Sequence, residues 1–414
     1  MKLLHAADLH IDSPLRGLDR YSDAPAEHLR NATRTAVDNL VDLALEEQVT
    51  AVLLAGDIYD GSWRDVNTGL YFTQQMRRLR EADIPVFMIS GNHDAENKMT
   101  MKLTLPDNVH RFPAENADSS IREDLGLAVH GQSFAQAKVT DDLAAGYRPA
   151  VPGLFNVGLL HTSLDGRPGH GHYAPCSPGR LVDHGYDYWA LGHIHKQDIV
   201  HSDGVHVVFP GNTQGRHAGE TGDKGCTLVT VNGSGAVEGL EHRSLDSAAR
   251  WHEVRVDMAG ALDLDDACRL VGRALQDQVT DHAADGRVDA VRVVAAGASE
   301  AHSALLARRD HFTAEVRGLG QDHPSVWIEK VRVDTSRPHD RVASEHLAGL
   351  VADVQEEAAL LAAAPERVRE VLTRTGLQGR LPAEVRTAFQ EDAWAERMAG
   401  GAADLLVAML EESR

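Results

Sequence analysis

The stretch Ala51-Val52-Leu53-Leu54-Ala55-Gly56-Asp57 is an apolar run that ends abruptly in a glycine and a carboxylate. Such a run predicts a buried β-strand, and the glycine allows a sharp turn directly after it. The pattern recurs upstream, where Lys2–Ala7 runs into Asp8-Leu9-His10. It recurs downstream, where Pro85–Ser90 runs into Gly91-Asn92-His93-Asp94. Three buried strands are therefore predicted, each followed by polar residues able to bind a metal or a phosphate.

Helices are predicted between these strands, because apolar residues fall at helical spacing in Asn31–Glu47 and Asn67–Ala82. The order β-α-β-α-β predicts an α/β sheet with helices packed on it. Thr140–Gly153 and Asp165–Gly185 are rich in glycine, proline and polar residues, which predicts loops. Further strand-like runs are Asn156–Leu160, Tyr188–Leu191, Val205–Phe209 and Thr227–Val231.

Two of these later runs also end in metal-ligating residues. His161 follows one of them, and Gly192-His193-Ile194-His195 follows another. Sites in α/β sheets form beyond the carboxyl ends of the strands, so the five strand ends are expected to converge. Carboxylate and imidazole together favour Mn²⁺, Fe²⁺ or Zn²⁺ over Ca²⁺, and one carboxylate can bridge two ions. The five strand ends therefore bring two Asp, one Asn and up to five His towards one place, and these residue types suit a two-metal centre.

The composition of the 414-residue chain excludes several classes of protein. Hydrophobic residues make up 43% and charged residues 25%, which is ordinary globular composition and excludes a disordered, collagen-like or disulfide-scaffold protein. The length predicts two or three domains. The net charge is −21, whereas a protein that binds nucleic acid unaided usually has a basic surface.

We expect a cytoplasmic protein. There is no apolar run of about 18 residues, which excludes a membrane-spanning helix, and no N-terminal pattern of a secretory signal. The three cysteines, at 176, 226 and 268, form no CxxC pair, which favours a reduced compartment.

Three segments are predicted along the chain. Residues 1–245 hold the candidate site. Residues 250–340 start a new unit in which strand-like and helical patterns alternate from Trp251 to Val333. Residues 341–414 have no convincing strand but have apolar residues at helical spacing. Such a stripe must be buried, either by a partner or by the chain itself. The residues of this stripe are Leu347, Val351, Val354, Leu405, Leu406 and Met409.

The strand-end set resembles the signature of calcineurin-like metallophosphoesterases over roughly residues 1–245. Within them the chain is similar to the SbcD-type DNA repair exonucleases, in the YhaO-like branch. The segments that carry this second resemblance are Ala6–Leu15, Tyr173–Cys176, Trp189–His195 and Pro210–Arg216. The resemblance implies an α/β fold, a four-layer αββα sandwich, with a small α+β capping domain and a C-terminal helical segment.

The resemblance also implies a role for each site residue. Asp8, His10 and His195 would hold one ion, and Asn92, His161 and His193 the other. Asp57 would bridge the two ions. His93 would act on the phosphate or the leaving group, and Asp94 would orient His93. The implied cofactor is a pair of divalent ions, Mn²⁺ first, with Fe²⁺, Zn²⁺ or Mg²⁺ as alternatives.

The implied function is a metal-dependent DNA exonuclease, or also endonuclease, that acts in DNA repair by attack of an activated hydroxide on phosphorus. A phosphatase or phosphodiesterase of nucleotides or small phosphoesters would use the same ligands, and a non-catalytic metal-binding scaffold is a third interpretation. The implied partners are the DNA substrate, an SMC/ABC-like coiled-coil ATPase that binds residues 341–414, and a second copy in a homodimer, with no membrane.

Other polar residues near the motifs are not assigned to the metal centre. Asp12 and Asp60 are interpreted as turn or helix-start groups. His170 and His172 lie in a Gly/Pro-rich loop, which favours a substrate-side or solvated position over metal binding. His217, beside Arg216, is equally consistent with a phosphate contact and with a plain surface position.

Overall fold

The structure is a computed structural model that describes residues 1–15, 25–60, 66–95, 104–165, 173–279, 286–338, 348–375, 389 and 391–412. The chain divides into two compact units. Unit 1 comprises Met1–His252 and His282–Ala290, and unit 2 comprises Glu253–Asp281 and Val291–Arg414.

Unit 1 alternates strands and helices along the chain. Its strands are β1 (Lys2–Ala6), β2 (Ala51–Ala55), β3 (Val86–Ile89), β4 (Val109–Arg111), β5 (Asp118–Arg122), β6 (Leu127–Gly131), β7 (Phe155–His161), β8 (Tyr188–Gly192), β9 (Asp198–Asp203), β10 (Val205–Phe209), β11 (Gly225–Val231) and β12 (Val237–Ser244). Its helices are α1 (Ala26–Glu46), α2 (Val66–Glu81), α3 (Asn92–Ala95) and α4 (Pro178–Asp183), with 3₁₀ turns at Glu123–Leu125 and Leu143–Gly146.

These strands form two six-stranded sheets. The first has the order β12-β11-β1-β2-β3-β4, and the strands from β1 to β4 are parallel. The second has the order β5-β6-β7-β8-β10-β9, with β6, β7, β8 and β10 parallel and antiparallel strands at both edges. The carboxyl ends of β1, β2 and β3 therefore share one edge, and those of β7 and β8 share another.

The two sheets pack face to face. Leu53 and Phe87 of the first sheet share one buried core with Val129, Val157 and Tyr188 of the second. The outer face of the first sheet packs against α1 and α2, and that of the second packs against α4 and neighbouring loops. This arrangement confirms the αββα sandwich that the sequence resemblance implies.

Unit 2 is built on a three-stranded sheet, in the order β13-β14-β15. Its core contains Val256, Val291 and Ile328 of the strands with Leu275 and Phe312 of the helices. The strands are β13 (Ala249–Asp257), β14 (Val288–Ala298) and β15 (Val326–Ser336), and the helices are α5 (Leu264–Gln278), α6 (His302–Ala307) and α7 (Arg309–Gln321).

The C-terminal part of unit 2 is helical, as predicted, with α8 (Ala348–Ala362), α9 (Pro365–Arg374) and α10 (Asp392–Glu412). Helix α10 packs against α6 and α8. Its buried residues are Ala395, Ala399, Ala403, Val407 and Ala408, nearly all at a spacing of four. Small side chains let helices approach closely, so this face and not the larger apolar residues packs inside the unit.

The predicted apolar stripe of the C-terminal segment is therefore only partly buried. Val351 is buried, whereas Leu405, Leu406 and Met409 are 43%, 51% and 52% exposed. Leu347 lies outside the described residues.

Unit 2 contains most of the predicted segments 250–340 and 341–414, and the division into three segments stays a prediction. Every strand predicted in residues 1–245 is present within one or two residues at each end. Between β14 and β15 the chain forms two helices, α6 and α7, which are separated at Arg308.

The sequence patterns missed five strands. β4, β5, β9 and β12 are half-exposed, polar strands at or next to sheet edges, and β6 lies buried beside β7. The predicted loop Asp165–Gly185 contains α4, which begins at a Ser177 side-chain cap followed by proline.

Among the described residues, no helix combines the length and the apolar character that crossing a bilayer requires.

Replacement of Gly158 by alanine is expected to destabilise unit 1. Gly158 of β7 lies opposite Trp189 of β8, and a Cβ atom at Gly158 would overlap the buried indole ring. Overpacking of this kind typically costs about 1–3 kcal/mol, measured as the loss in free energy of unfolding by urea denaturation. Gly233→Ala, in a turn with open space around the new Cβ, is the control. Equal stability of the two variants would contradict this packing.

Candidate metal centre

The loops that follow β1 and β2 run side by side. Asp8 N donates to Gly56 O at 3.0 Å, and His10 N donates to Asp57 O at 3.1 Å. The parallel register of the two strands, in which Ala6 lies opposite Leu54, sets up this alignment. As a result, Asp8, His10 and Asp57 lie together at one sheet edge.

The turn that follows β3 is bonded to the same loops. His93 N donates to Asp57 Oδ1 at 2.9 Å. Asp94 accepts three backbone N–H groups, from Ile58 at 3.2 Å, Tyr59 at 2.9 Å and Gly91 at 2.9 Å. The buried Asp94 carboxylate therefore ties the turn after β3 to the loop after β2.

The second sheet meets the first at His161. Its Nδ1 lies 2.9 Å from Ala55 O, at the end of β2. His161 is paired with Gly192 at the end of β8, and a Cβ at Gly192 would overlap the same carbonyl of Ala55. Only glycine leaves room there, so this residue lets the two sheet ends touch.

Among the described residues, three overlapping Asp/His groups have ligand atoms within 4.8 Å of one another. Two of them consist only of predicted ligands: the first group is Asp8, His10 and His195, and the second is Asp8, Asp57 and His161. The third is His10, Asp60 and His93. His10 Nε2 is 3.3 Å from His195 Nε2, and His161 Nε2 is 3.4 Å from Asp57 Oδ2. Asp57 lies between the groups, since its Oδ2 is also 3.8 Å from His10 Nε2.

The other two predicted ligands lie beside His161. Asn92 Oδ1 is 3.0 Å from His161 Nε2. The ring of His193 lies at 5.3 Å from that of His161, centroid to centroid, and His193 N donates to Asp8 Oδ2 at 3.0 Å. The structure thus brings all seven predicted ligands to one place.

Several ligands occupy an unfavourable backbone region. Asp8, His10, Asp57 and His193 have φ of 52°, 43°, 51° and 99°. Non-glycine residues rarely adopt positive φ, and such strain concentrates at functional sites. The surrounding backbone hydrogen bonds hold these residues in conformations that aim their side chains at a common point.

The electrostatics of the cluster suit a cation. Burial opposes ionisation of Asp8 and Asp57, yet neighbouring histidines outweigh it and hold both pKa values below the usual range. Burial lowers the pKa of His10 to about 4. For His161 and His195 burial is outweighed by nearby carboxylates, which raise each pKa to about 9. A divalent ion must displace those protons, so its affinity increases with pH.

The donor set fits two divalent ions. Asp8 and Asp57 are each 1% exposed, and such buried carboxylates require paired cations or a metal. The remaining ring nitrogens of two ligands are already engaged, His161 Nδ1 with Ala55 O and His195 Nδ1 with Glu220 Oε1 at 2.6 Å. Each of these rings therefore directs Nε2 into the cluster, as metal-binding histidines do.

His93 lies at the mouth of the cluster, with its side chain 36% exposed. The carboxylate beside it is Asp60, whose Oδ1 is 3.0 Å from His93 Nδ1. The predicted role of Asp94 in orienting His93 is therefore corrected, because Asp94 binds backbone N–H groups. The interpretation of Asp60 as a plain turn residue was likewise wrong. The sequence signal that could have revealed this contact is the position of Asp60, three residues after Asp57.

The segment from Asn212 to Glu220 supplies two further residues that sequence patterns missed. Arg216 Nη1 is 3.6 Å from Asp60 Oδ2, and Arg216 Nη2 is 3.3 Å from Glu220 Oε1. His217 is 64% exposed and faces Glu220 at 3.5 Å. His170 and His172 lie outside the described residues.

Two protein-family profiles match the chain. Residues 1–197 match the calcineurin-like phosphoesterase family, and residues 251–336 match the middle domain of metallophosphoesterase YhaO. The chain is 36% identical over 267 residues to the uncharacterized metallophosphoesterase YhaO of Bacillus subtilis. That match covers 64% of this chain and 65% of the relative, just under two thirds of its length.

Similar solved structures are more distant. A dimetal phosphatase from Danio rerio is 11% identical, covers 59% of this chain and 97% of its own, and has a TM-score of 0.36. The protein TT1561 of Thermus thermophilus is 14% identical, covers 59% of this chain and 98% of its own, and has a TM-score of 0.35.

Replacement of Asp57 by alanine is expected to abolish tight binding of both ions, because this carboxylate lies between the two ligand groups. Metal analysis after dialysis should show two ions per parent chain and none in the variant. Asp203→Ala, at the exposed end of β9, is the control and should keep both ions. Two retained ions in Asp57→Ala would refute the bridging position.

Proposed function

We propose that the protein is a metal-dependent phosphodiesterase that cleaves DNA, and the match of residues 1–197 to the calcineurin-like phosphoesterase family supports this proposal. The observation that carries the proposal is the position of His93. It stands partly exposed at the mouth of a buried Asp/His cluster and is backed by Asp60.

The cluster and His93 have separate tasks in this proposal. When bound, two divalent ions supply a nucleophile at neutral pH and stabilise negative charge on phosphorus-bound oxygen. Asp8, Asp57 and the ligand histidines hold those ions. His93 donates a proton to the leaving oxygen, and Asp60 holds the imidazole with Nε2 directed away from Asp60 and toward the substrate.

A proton donor is most valuable for a phosphodiester of DNA. Cleavage of such a bond releases a sugar alkoxide, which is a poor leaving group until it is protonated. His93 meets that need, and this supports a diester of an alcohol as the substrate. An SbcD-type role in DNA repair, with Mn²⁺ as the ion, is the fuller form of the proposal, and it rests on the resemblance in sequence.

The net charge of −21 favours a second candidate, hydrolysis of a nucleotide or another small phosphoester. An acidic surface repels the DNA backbone but hinders a small anion much less. A panel of duplex DNA, single-stranded DNA and nucleotides, assayed with Mn²⁺, separates the two. Cleavage of DNA supports the first candidate, and hydrolysis of nucleotides alone supports the second.

His93→Gln is expected to lower DNA cleavage by about 10²–10⁴-fold while metal content stays at the parental value. An activated aryl phosphodiester, whose leaving group departs without a proton, should lose much less activity. His201→Gln in β9 is the matched control and should cleave both substrates like the parent. Equal losses on the two substrates would refute proton donation by His93.

We also propose that the C-terminal helices bind the coiled coil of an SMC-like ATPase in the cytoplasm. Leu405, Leu406 and Met409 of α10, with Leu350 and Leu360 of α8, are about half-exposed on helices that already pack on each other. Exposed apolar residues on two paired helices suit contact with an amphipathic helix of a partner. The three cysteines are free, which supports a reducing compartment.

The double variant Leu406→Glu/Met409→Glu is expected to weaken binding to the ATPase of the same organism at least about tenfold, because it places two charges in an apolar contact. Hydrolysis of a small phosphodiester should not change. Leu262→Glu, at a leucine that is 71% exposed outside these helices, is the control in the same pull-down. Undiminished binding by the double variant would refute this docking surface.

A further inference from the structure

Glu220 is a buried carboxylate on which several donors converge. Its Oε1 lies 2.6 Å from His195 Nδ1 and 3.3 Å from Arg216 Nη2. Its Oε2 accepts from Asn212 Nδ2 at 3.0 Å and from the backbone N–H of Arg216 at 2.8 Å. Both oxygens are therefore used as acceptors, and the side chain is only 7% exposed.

The contact with His195 fixes which ring nitrogen faces the metal cluster. An imidazole that donates through Nδ1 keeps the lone pair of Nε2 free. Nε2 of His195 lies 3.7 Å from Asp8 Oδ1 and 3.3 Å from His10 Nε2, inside the first ligand group. By contrast, Nδ1 of His161 in the second group is held by a backbone carbonyl. Glu220 therefore acts on one of the two groups.

Glu220 also connects the ligand His195 to the proton donor His93. Arg216, which Glu220 holds at both its backbone and its guanidinium, lies 3.6 Å from Asp60. Asp60 in turn lies 3.0 Å from His93 Nδ1. The side chains from His195 to His93 thus form one continuous row of alternating charge.

The segment that carries Glu220 is fixed to the same strand ends as the ligands. Asn212 pairs with Ala7 in an isolated parallel bridge, and its N–H donates to His195 O at 3.4 Å. Lys224 Nζ donates to the same His195 carbonyl at 3.1 Å. The Glu220 carboxylate is therefore held in place before any ligand binds.

We propose that Glu220 is a positioning residue for the metal centre, which sets the tautomer and orientation of His195 and fixes Arg216 beside Asp60. This role rests on the proposed function, since it presumes metal-dependent hydrolysis. Removal of an outer carboxylate that orients a ligand histidine typically costs about 10–100-fold in metal affinity. The loss should fall on the ion held by Asp8, His10 and His195 and spare the other.

The test compares Glu220→Gln and Glu220→Asp with the parent by Mn²⁺ titration calorimetry and by metal analysis after gel filtration. Because both Glu220 oxygens accept, the glutamine amide must face a donor. Glu220→Gln should therefore weaken one Mn²⁺ about 10–100-fold and leave the second at parental affinity. Glu220→Asp keeps the charge, and its Mn²⁺ affinity should lie between that of the parent and that of the glutamine variant. Glu241→Gln, at an exposed position in β12, is the control and should bind Mn²⁺ with the affinity of the parent.

The outcomes separate this role from the proposed function. A Glu220→Gln variant that binds two Mn²⁺ ions like the parent overturns the positioning role, as does equal weakening of both ions. An aspartate variant no better than the glutamine variant also overturns it, because the carboxylate would then serve packing alone. A parent chain that binds no Mn²⁺ refutes the metal-dependent function itself.

Discussion

The hydrogen bond between His161 Nδ1 and the carbonyl of Ala55 joins the carboxyl ends of the two sheets, and the site depends on it. It holds a ligand of the second sheet within reach of Asp57 from the first. Gly192 makes the approach possible, because a side chain there would occupy the space of the same carbonyl. The face-to-face packing of the sheets thus has a direct chemical consequence, a cluster that neither sheet can form alone.

Bringing buried carboxylates together is unfavourable unless positive charge balances them. Asp8 and Asp57 obtain part of that balance from His161 and His195 and from backbone N–H groups. Four ligands also sit at positive φ. The strain and the desolvation cost are borne by the large apolar cores on both sides of the first sheet. A divalent cation relieves the electrostatic part of this cost, which is why the cluster is interpreted as a metal centre.

The charged residues around the cluster come from different loops. Asp60 follows β2, His93 follows β3, and Glu220 follows β10 with Arg216, yet all four lie in one charged row. Among these four residues, the two carboxylates of Asp60 and Glu220 balance the two cations of Arg216 and protonated His93. The row therefore adds little net positive charge, and the proposed cleavage of DNA by a chain with a net charge of −21 would need metal ions or a partner to bind the DNA backbone.

The sequence by itself determined the strands that end in Asp, Asn and His, because apolar runs closed by glycine and polar residues are local signals. It also predicted which residue types gather at the strand ends, and hence the class of chemistry proposed for them. The tertiary structure alone decided that Asp60 and not Asp94 stands beside His93, and that Glu220 backs His195 from 25 residues away. It also decided that alanines of α10 are buried while Leu406 is exposed. These are contacts between distant segments, and no periodicity within one segment encodes which of two nearby carboxylates or two helix faces the fold will use.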